Sequence, residues 1–158
     1  MVELPVNAFN LISNNGNDKI QITIDEIFGF PETTCYADGY EFKGTLIIQA
    51  GCYKVHNQNY YSTTGELYRL YASLIKCYDT LTGTAKYCQM YEKDFTFEIK
   101  MNHLGHVEID GEYTEYPHLP NKLIFQIQTD QTCILNTIHD LKQIKNLFGD
   151  MEGKKPHA

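Results

Sequence analysis

The chain has 158 residues, 42% of them hydrophobic and 21% charged, with 13 Lys and Arg against 20 Asp and Glu and a formal net charge of −7. That length suits one domain with a sizeable core, 1–158, and the composition is globular rather than disordered or fibrous. The acidic balance argues against binding a nucleic-acid backbone, and no run approaches the ~20 apolar residues of a membrane-spanning helix.

In chain order, residues 1–17 read as a loose start that ends in the Asn- and Gly-rich turn from Ile12 to Asp18. No basic region followed by an apolar run opens the chain, so no signal peptide is read and the cytoplasm is the expected compartment. The first strand is expected over 18–26, where Ile20, Ile22 and Ile24 alternate with Gln21, Thr23 and Asp25. Residues 29–39 hold Gly29, Pro31, Asp38 and Gly39 and read as a loop. A strand follows from Tyr40 to Ala50, with a bulge expected at Gly44. Past Gly51, Cys52–Gln58 alternates again, which fits either two hinged strands or one bent strand.

Thr63 and Glu66 have the spacing of a capping box. Leu67, Leu70, Tyr71, Leu74, Ile75, Tyr78 and Leu81 then form one apolar stripe at helical spacing, with Gly83 as its stop. A short strand is expected over 85–91.

The most regular stretch is 94–148. Phe95, Phe97, Ile99 and Met101 alternate with polar residues; so do Val107, Ile109 and Tyr113; so do Leu123, Phe125 and Ile127. These are three half-buried antiparallel strands. After Asp130, an expected N-cap, the period changes: Ile134, Leu135, Ile138, Leu141, Ile144 and Phe148 recur at helical spacing, and Gly149 is the expected stop. This helix is expected to close over the apolar face of the three strands. Residues 150–158 read as a frayed tail. The expected class is α+β: a single antiparallel sheet of about six or seven strands with two helices packed on one face.

Chemistry is sparse. There is no phosphate-binding glycine loop, nucleophile elbow or zinc-protease motif. The five cysteines are odd in number and scattered, so neither a disulfide framework nor a zinc site is read, and buried small hydrophobes are expected. His103 and His106 flank a hairpin turn, but two ligands do not make a metal site. No metal or cofactor is expected.

The carboxylates carry more. A hairpin symmetric about His103 sets Glu98 opposite Glu108 and Asp94 opposite Glu112, with Asp110 between. Like charges directly opposed across strands are unfavourable. Two readings fit such an arrangement: an acidic docking face relieved by a basic partner, or a solvated outer face diluted by the nearby Lys86, Lys93, Lys100 and Lys122. The expected partner-binding residues are Asp94, Glu98, Glu108, Asp110 and Glu112, with Tyr113 and Glu115 at the edge.

The C-terminal half adds a resemblance. The run Gly105–Gly111 (GHVEIDG), the strand end Phe125–Thr132 (FQIQTDQT) and the helix Ile134–Ile144 (ILNTIHDLKQI) resemble the WapI-like bacterial immunity proteins. The helix ending at Cys77–Leu81 (CYDTL) sits where that family carries its first helix, so the likeness covers about 65–148. It implies a small acidic cytoplasmic protein that binds and neutralises a cognate, basic toxin domain. It supplies no catalytic residues. The alternatives are a small-molecule-binding or enzymatic α+β domain, and a structural subunit of a larger assembly. The apolar bulk at the inward positions Phe95 to Ile127 argues against an internal pocket.

Overall fold

The computed structural model describes residues 2–89 and 94–154, which form eight strands and two helices. The strands make two four-stranded antiparallel sheets, in the orders β1-β2-β3-β4 and β5-β6-β7-β8. The class is α+β, but the single sheet of six or seven strands expected from the alternation is replaced by two sheets facing each other.

The first sheet holds β1 (Val6–Ile12), β2 (Lys19–Ile27), β3 (Glu41–Ala50) and β4 (Tyr53–Thr63). The expected loose start therefore contains a strand. Ala8 is an extra residue opposite β2, so Ala8 and Phe9 are both buried and the period of two is broken. In β2 and β3 the inward residues Ile20, Ile22, Ile24, Phe42, Leu46 and Ile48 are fully buried, each worth roughly 1.5–3 kcal/mol. Gly44 is not itself bulged. The extra residues lie on both neighbours, Asp25 in β2 and one residue of β4 between Asn57 and Tyr60. A Cβ on Gly44 would stand 1.8 Å from the Thr23 carbonyl oxygen, so glycine lets β2 bend close. Gly51, with φ 62, makes a tight turn that pairs Ala50 with Tyr53, which gives two strands rather than one.

The second sheet holds β5 (Gly83–Cys88), β6 (Phe95–Met101), β7 (His106–Thr114) and β8 (Lys122–Asp130). The last two residues of the expected 85–91 strand, Lys93, and residues 155–158 of the expected tail lie outside the described residues. Gly111 faces Phe97 on one side and Phe125 on the other, and a Cβ there would meet the Phe125 ring at 2.2 Å. The missing side chain makes room for that ring.

Helix α1 (Thr64–Thr80) is capped by Thr63, whose hydroxyl accepts from the Glu66 N–H at 3.1 Å. The Glu66 carboxylate accepts from Ser62 Oγ at 2.6 Å. The helix ends before the expected Gly83, with Leu81 in the left-handed region at φ 51. Helix α2 (Gln131–Phe148) has the expected caps, Asp130 and Gly149.

The helices do not share one sheet face. α1 lies against β5, α2 against β1, and the two touch each other. Thr137 Oγ1 of α2 donates to the Asn10 carbonyl of β1 at 2.9 Å. The meander's apolar face is already covered by the first sheet: Phe9 packs on Phe97 at 5.3 Å between ring centroids and Tyr60 on Phe95 at 6.2 Å. α2 therefore buries Ile134, Leu141, Ile144 and Phe148 elsewhere. Residues 150–154 are held: Gly39 N–H donates to the Met151 carbonyl at 2.7 Å and Lys154 N–H to Tyr40 Oη at 2.9 Å.

Candidate protein-docking face

The outer face of the second sheet is a grid fixed by strand register. Across β5, β6, β7 and β8 one row reads Cys88, Thr96, Glu112, Ile124; the next Lys86, Glu98, Asp110, Gln126; the third Thr84, Lys100, Glu108, Gln128. Glu98, Glu108, Asp110 and Glu112 are thus brought together, as expected. Their pairing differs by one step. The hairpin centres on Leu104, not His103, because Gly105 takes the left-handed position (φ 80) in a three-residue loop closed by Asn102 N–H to the His106 carbonyl at 3.1 Å. Glu98 consequently faces Asp110, Lys100 faces Glu108 and Thr96 faces Glu112.

Lysines thread this grid. Lys122 Nζ lies 2.7 Å from Glu112, Lys100 Nζ 3.3 Å from Asp110 and Lys86 Nζ 4.0 Å from Glu98. Exposed pairs of this kind add little to stability, because water and salt screen them. They nevertheless set the local field: four carboxylates stand among three ammonium groups, so the face is only mildly acidic. Gln126 Nε2 donates to Asp110 at 2.8 Å, and this bond, helped by Lys100, holds the Asp110 carboxyl below its ordinary value. The same contact with Asp110 raises Lys100.

Three expected residues lie elsewhere. Tyr113 is 4% exposed and points inward; its hydroxyl accepts from Asn57 Nδ2 at 3.0 Å, and burial raises its pKa. Asp94 precedes β6 and its charge is felt by the buried hydroxyls of Tyr60, Tyr87 and Tyr113 rather than on the outer grid. Glu115 is exposed one residue beyond β7. The residue that alternation passed over is Ile124, 74% exposed on the outer face of β8. Its signal was an apolar residue at a position whose neighbours Lys122, Gln126 and Gln128 are all polar.

The other concentration of polar groups is internal. Ser62 Oγ donates to Glu66 at 2.6 Å and lies 2.7 Å from Tyr87 Oη, which lies 2.5 Å from Tyr60 Oη. All four residues are at most 4% exposed. Burial pushes both phenols far above their ordinary range, away from the near-neutral values that acid–base work requires. This chain ties the sheets to the start of α1.

All five cysteines are free, and only Cys77 is buried; Cys52 and Cys88 are exposed, which corrects the expectation of five buried thiols. His56, His103, His106 and His139 are exposed. Among the described residues no group of three or more His, Cys, Asp or Glu side chains is placed to hold a metal ion, and no helix is long and apolar enough to cross a membrane.

No curated protein and no solved structure matches the chain. A family model does, over residues 11–149, and its description is the immunity protein WapI-like family. That span takes in β2–β4 and the end of β1, both helices and the whole outer grid, so the likeness seen in the C-terminal half extends across most of the chain: it belongs to the WapI-like immunity protein family.

Proposed function

We infer that the protein is a non-enzymatic, cytoplasmic immunity protein that binds a cognate bacterial toxin domain stoichiometrically and neutralises it. Membership of the immunity family carries this reading. The docking surface we assign is the outer face of β5–β8: Glu98, Glu108, Asp110 and Glu112 around Ile124, with Glu115 at the β7 exit. It combines an exposed aliphatic contact with a polar rim, the usual anatomy of a protein interface, and its carboxylates suit a basic partner. Asp94 and Tyr113 serve the fold beneath it. Apolar packing of the inward residues Phe97, Ile99, Ile109 and Ile127 favours a solid core over a ligand pocket.

The test is co-expression with the products of neighbouring genes, screened for one that is toxic alone. Protection of the cells and a 1:1 complex are expected. No protection and no complex overturns the immunity reading. Glu98→Lys with Glu108→Lys keeps the fold and slows association, most at low salt; wild-type association by that variant sinks the docking face while leaving the function standing.

A further inference from the structure

The two sheets have four edge strands, β1, β4, β5 and β8. Unpaired edges invite strand addition, and folds blunt them by covering, bulging or charging them. α2 lies against β1 and α1 against β5. β4 carries an extra residue opposite β3, between Asn57 and Tyr60, and bears Lys54 and His56. β8 differs. Its pairing with β7 runs unbroken from Lys122 to Asp130. It has no Gly or Pro, and it is uncharged from Leu123 to Thr129. Leu123 is only half-buried and Ile124 is 74% exposed.

We propose that β8 pairs antiparallel with β8 of a second copy of this chain, joining two four-stranded sheets into one of eight strands. The choice of a second copy rests on self-complementarity. The side chain of Asn14 occupies the end of the strand, bonding both Thr129 Oγ1 at 3.0 Å and Asp130 at 2.7 Å. Thr129 faces inward and Asp130 outward, so Asn14 caps that end of the strand, and among the described residues no strand pairs with 122–128 on the side away from β7. A two-fold axis through the middle of that segment falls at Phe125. Lys122 then faces Gln128 of the other copy, Ile124 faces Gln126, and Leu123 faces Ile127. No like charges are opposed, and Lys122 stands diagonal to the other copy's Asp130. The pairing sets Ile124 diagonal to Ile124 of the second copy on the outer face and Leu123 opposite Ile127 on the inner face, and it keeps both outer faces, and so both docking surfaces, on the same side.

Sedimentation of the isolated protein between ~1 and ~100 µM, a range that brackets a micromolar Kd, tests this. A species approaching twice the 18.2 kDa monomer is expected, with amide exchange in β8 slowing as concentration rises. Ile124→Lys sets extra cations into the seam and is expected to remain monomeric at every loading. Its circular dichroism should be unchanged, since the side chain is mostly in solvent in the monomer, and its Tm should lose the concentration dependence that dimerisation gives the wild type. A wild type that stays at 18.2 kDa throughout, or an Ile124→Lys variant that still dimerises, overturns the proposal. If the wild type is monomeric and Ile124→Lys instead loses the toxin complex, the edge belongs to the partner and self-pairing is wrong.

Discussion

The hydroxyls of Tyr60 and Tyr87 lie 2.5 Å apart in the interior, joining β4 of one sheet to β5 of the other. The direction of the bonds follows from counting protons. Ser62 has one, and it goes to Glu66. Tyr87 must therefore donate to Ser62, and Tyr60 to Tyr87. Tyr87 both donates and accepts, whereas Tyr60 only donates. Tyr87→Phe leaves the Tyr60 hydroxyl without its acceptor and should cost about 1–3 kcal/mol; Tyr60→Phe removes a chain end and should cost about 1 kcal/mol. Urea unfolding of the two variants measures the order. Equal losses, or a larger one for Tyr60→Phe, contradict the assigned direction.

The same pair governs the alkaline limit. Burial raises both phenols above their ordinary value of 10.0. Below about pH 10 they are neutral in folded and unfolded chains alike, and their contribution to stability is complete. Above it the unfolded chain ionises first, so stability falls as pH climbs toward the folded values. Tyrosinate absorbance followed upward in pH should show a late step that coincides with loss of near-ultraviolet circular dichroism. A smooth titration of all tyrosines with the fold intact would rule out the sealed Tyr60–Tyr87 pair.

The elements that sequence periodicity located best were those with uninterrupted patterns. α1, α2 and the β6–β8 meander each bury residues at one constant spacing. β1 was passed over because the extra residue Ala8 puts two buried residues side by side, which erases the alternation. The division into two sheets was hidden for a different reason: a half-buried strand alternates in the same way whether its apolar face meets a helix or another sheet. The α2 stripe likewise announces a buried face without naming its partner, which is β1. At the docking face the residue types were legible and the register was not, since one left-handed glycine, Gly105, decides whether Glu98 meets Glu108 or Asp110.

Gly44 and Gly111 separate two kinds of crowding. A Cβ at Gly44 meets the Thr23 backbone oxygen at 1.8 Å, whereas at Gly111 it meets the Phe125 ring at 2.2 Å. Backbone in a paired strand cannot step aside; a side chain can shift at the expense of core packing. Gly111→Ala should cost about 1–3 kcal/mol, as overpacked cores do, and Gly44→Ala more than that. Thermal unfolding gives the ranking. A Gly44→Ala protein as stable as wild type shows that β2 and β3 do not approach as closely as described.

Thr63 offers the clearest test of how α1 is anchored. It is fully buried; its hydroxyl accepts from Glu66 N–H at 3.1 Å and donates to the Ala37 carbonyl at 3.4 Å. Thr63→Ala removes the cap and leaves a helix-end N–H unsatisfied where water does not reach. The expected loss is about 1–2 kcal/mol. Thr63→Ser keeps the oxygen and gives up only a methyl group, so it should recover most of that stability. Because α1 also supplies Glu66 to the Ser62–Tyr87–Tyr60 chain, losing the cap should loosen that chain too. The effects of Thr63→Ala and Tyr87→Phe should then fail to add in the double variant, by at least ~0.5 kcal/mol. Strict additivity would mean that the helix start and the tyrosine pair are held independently.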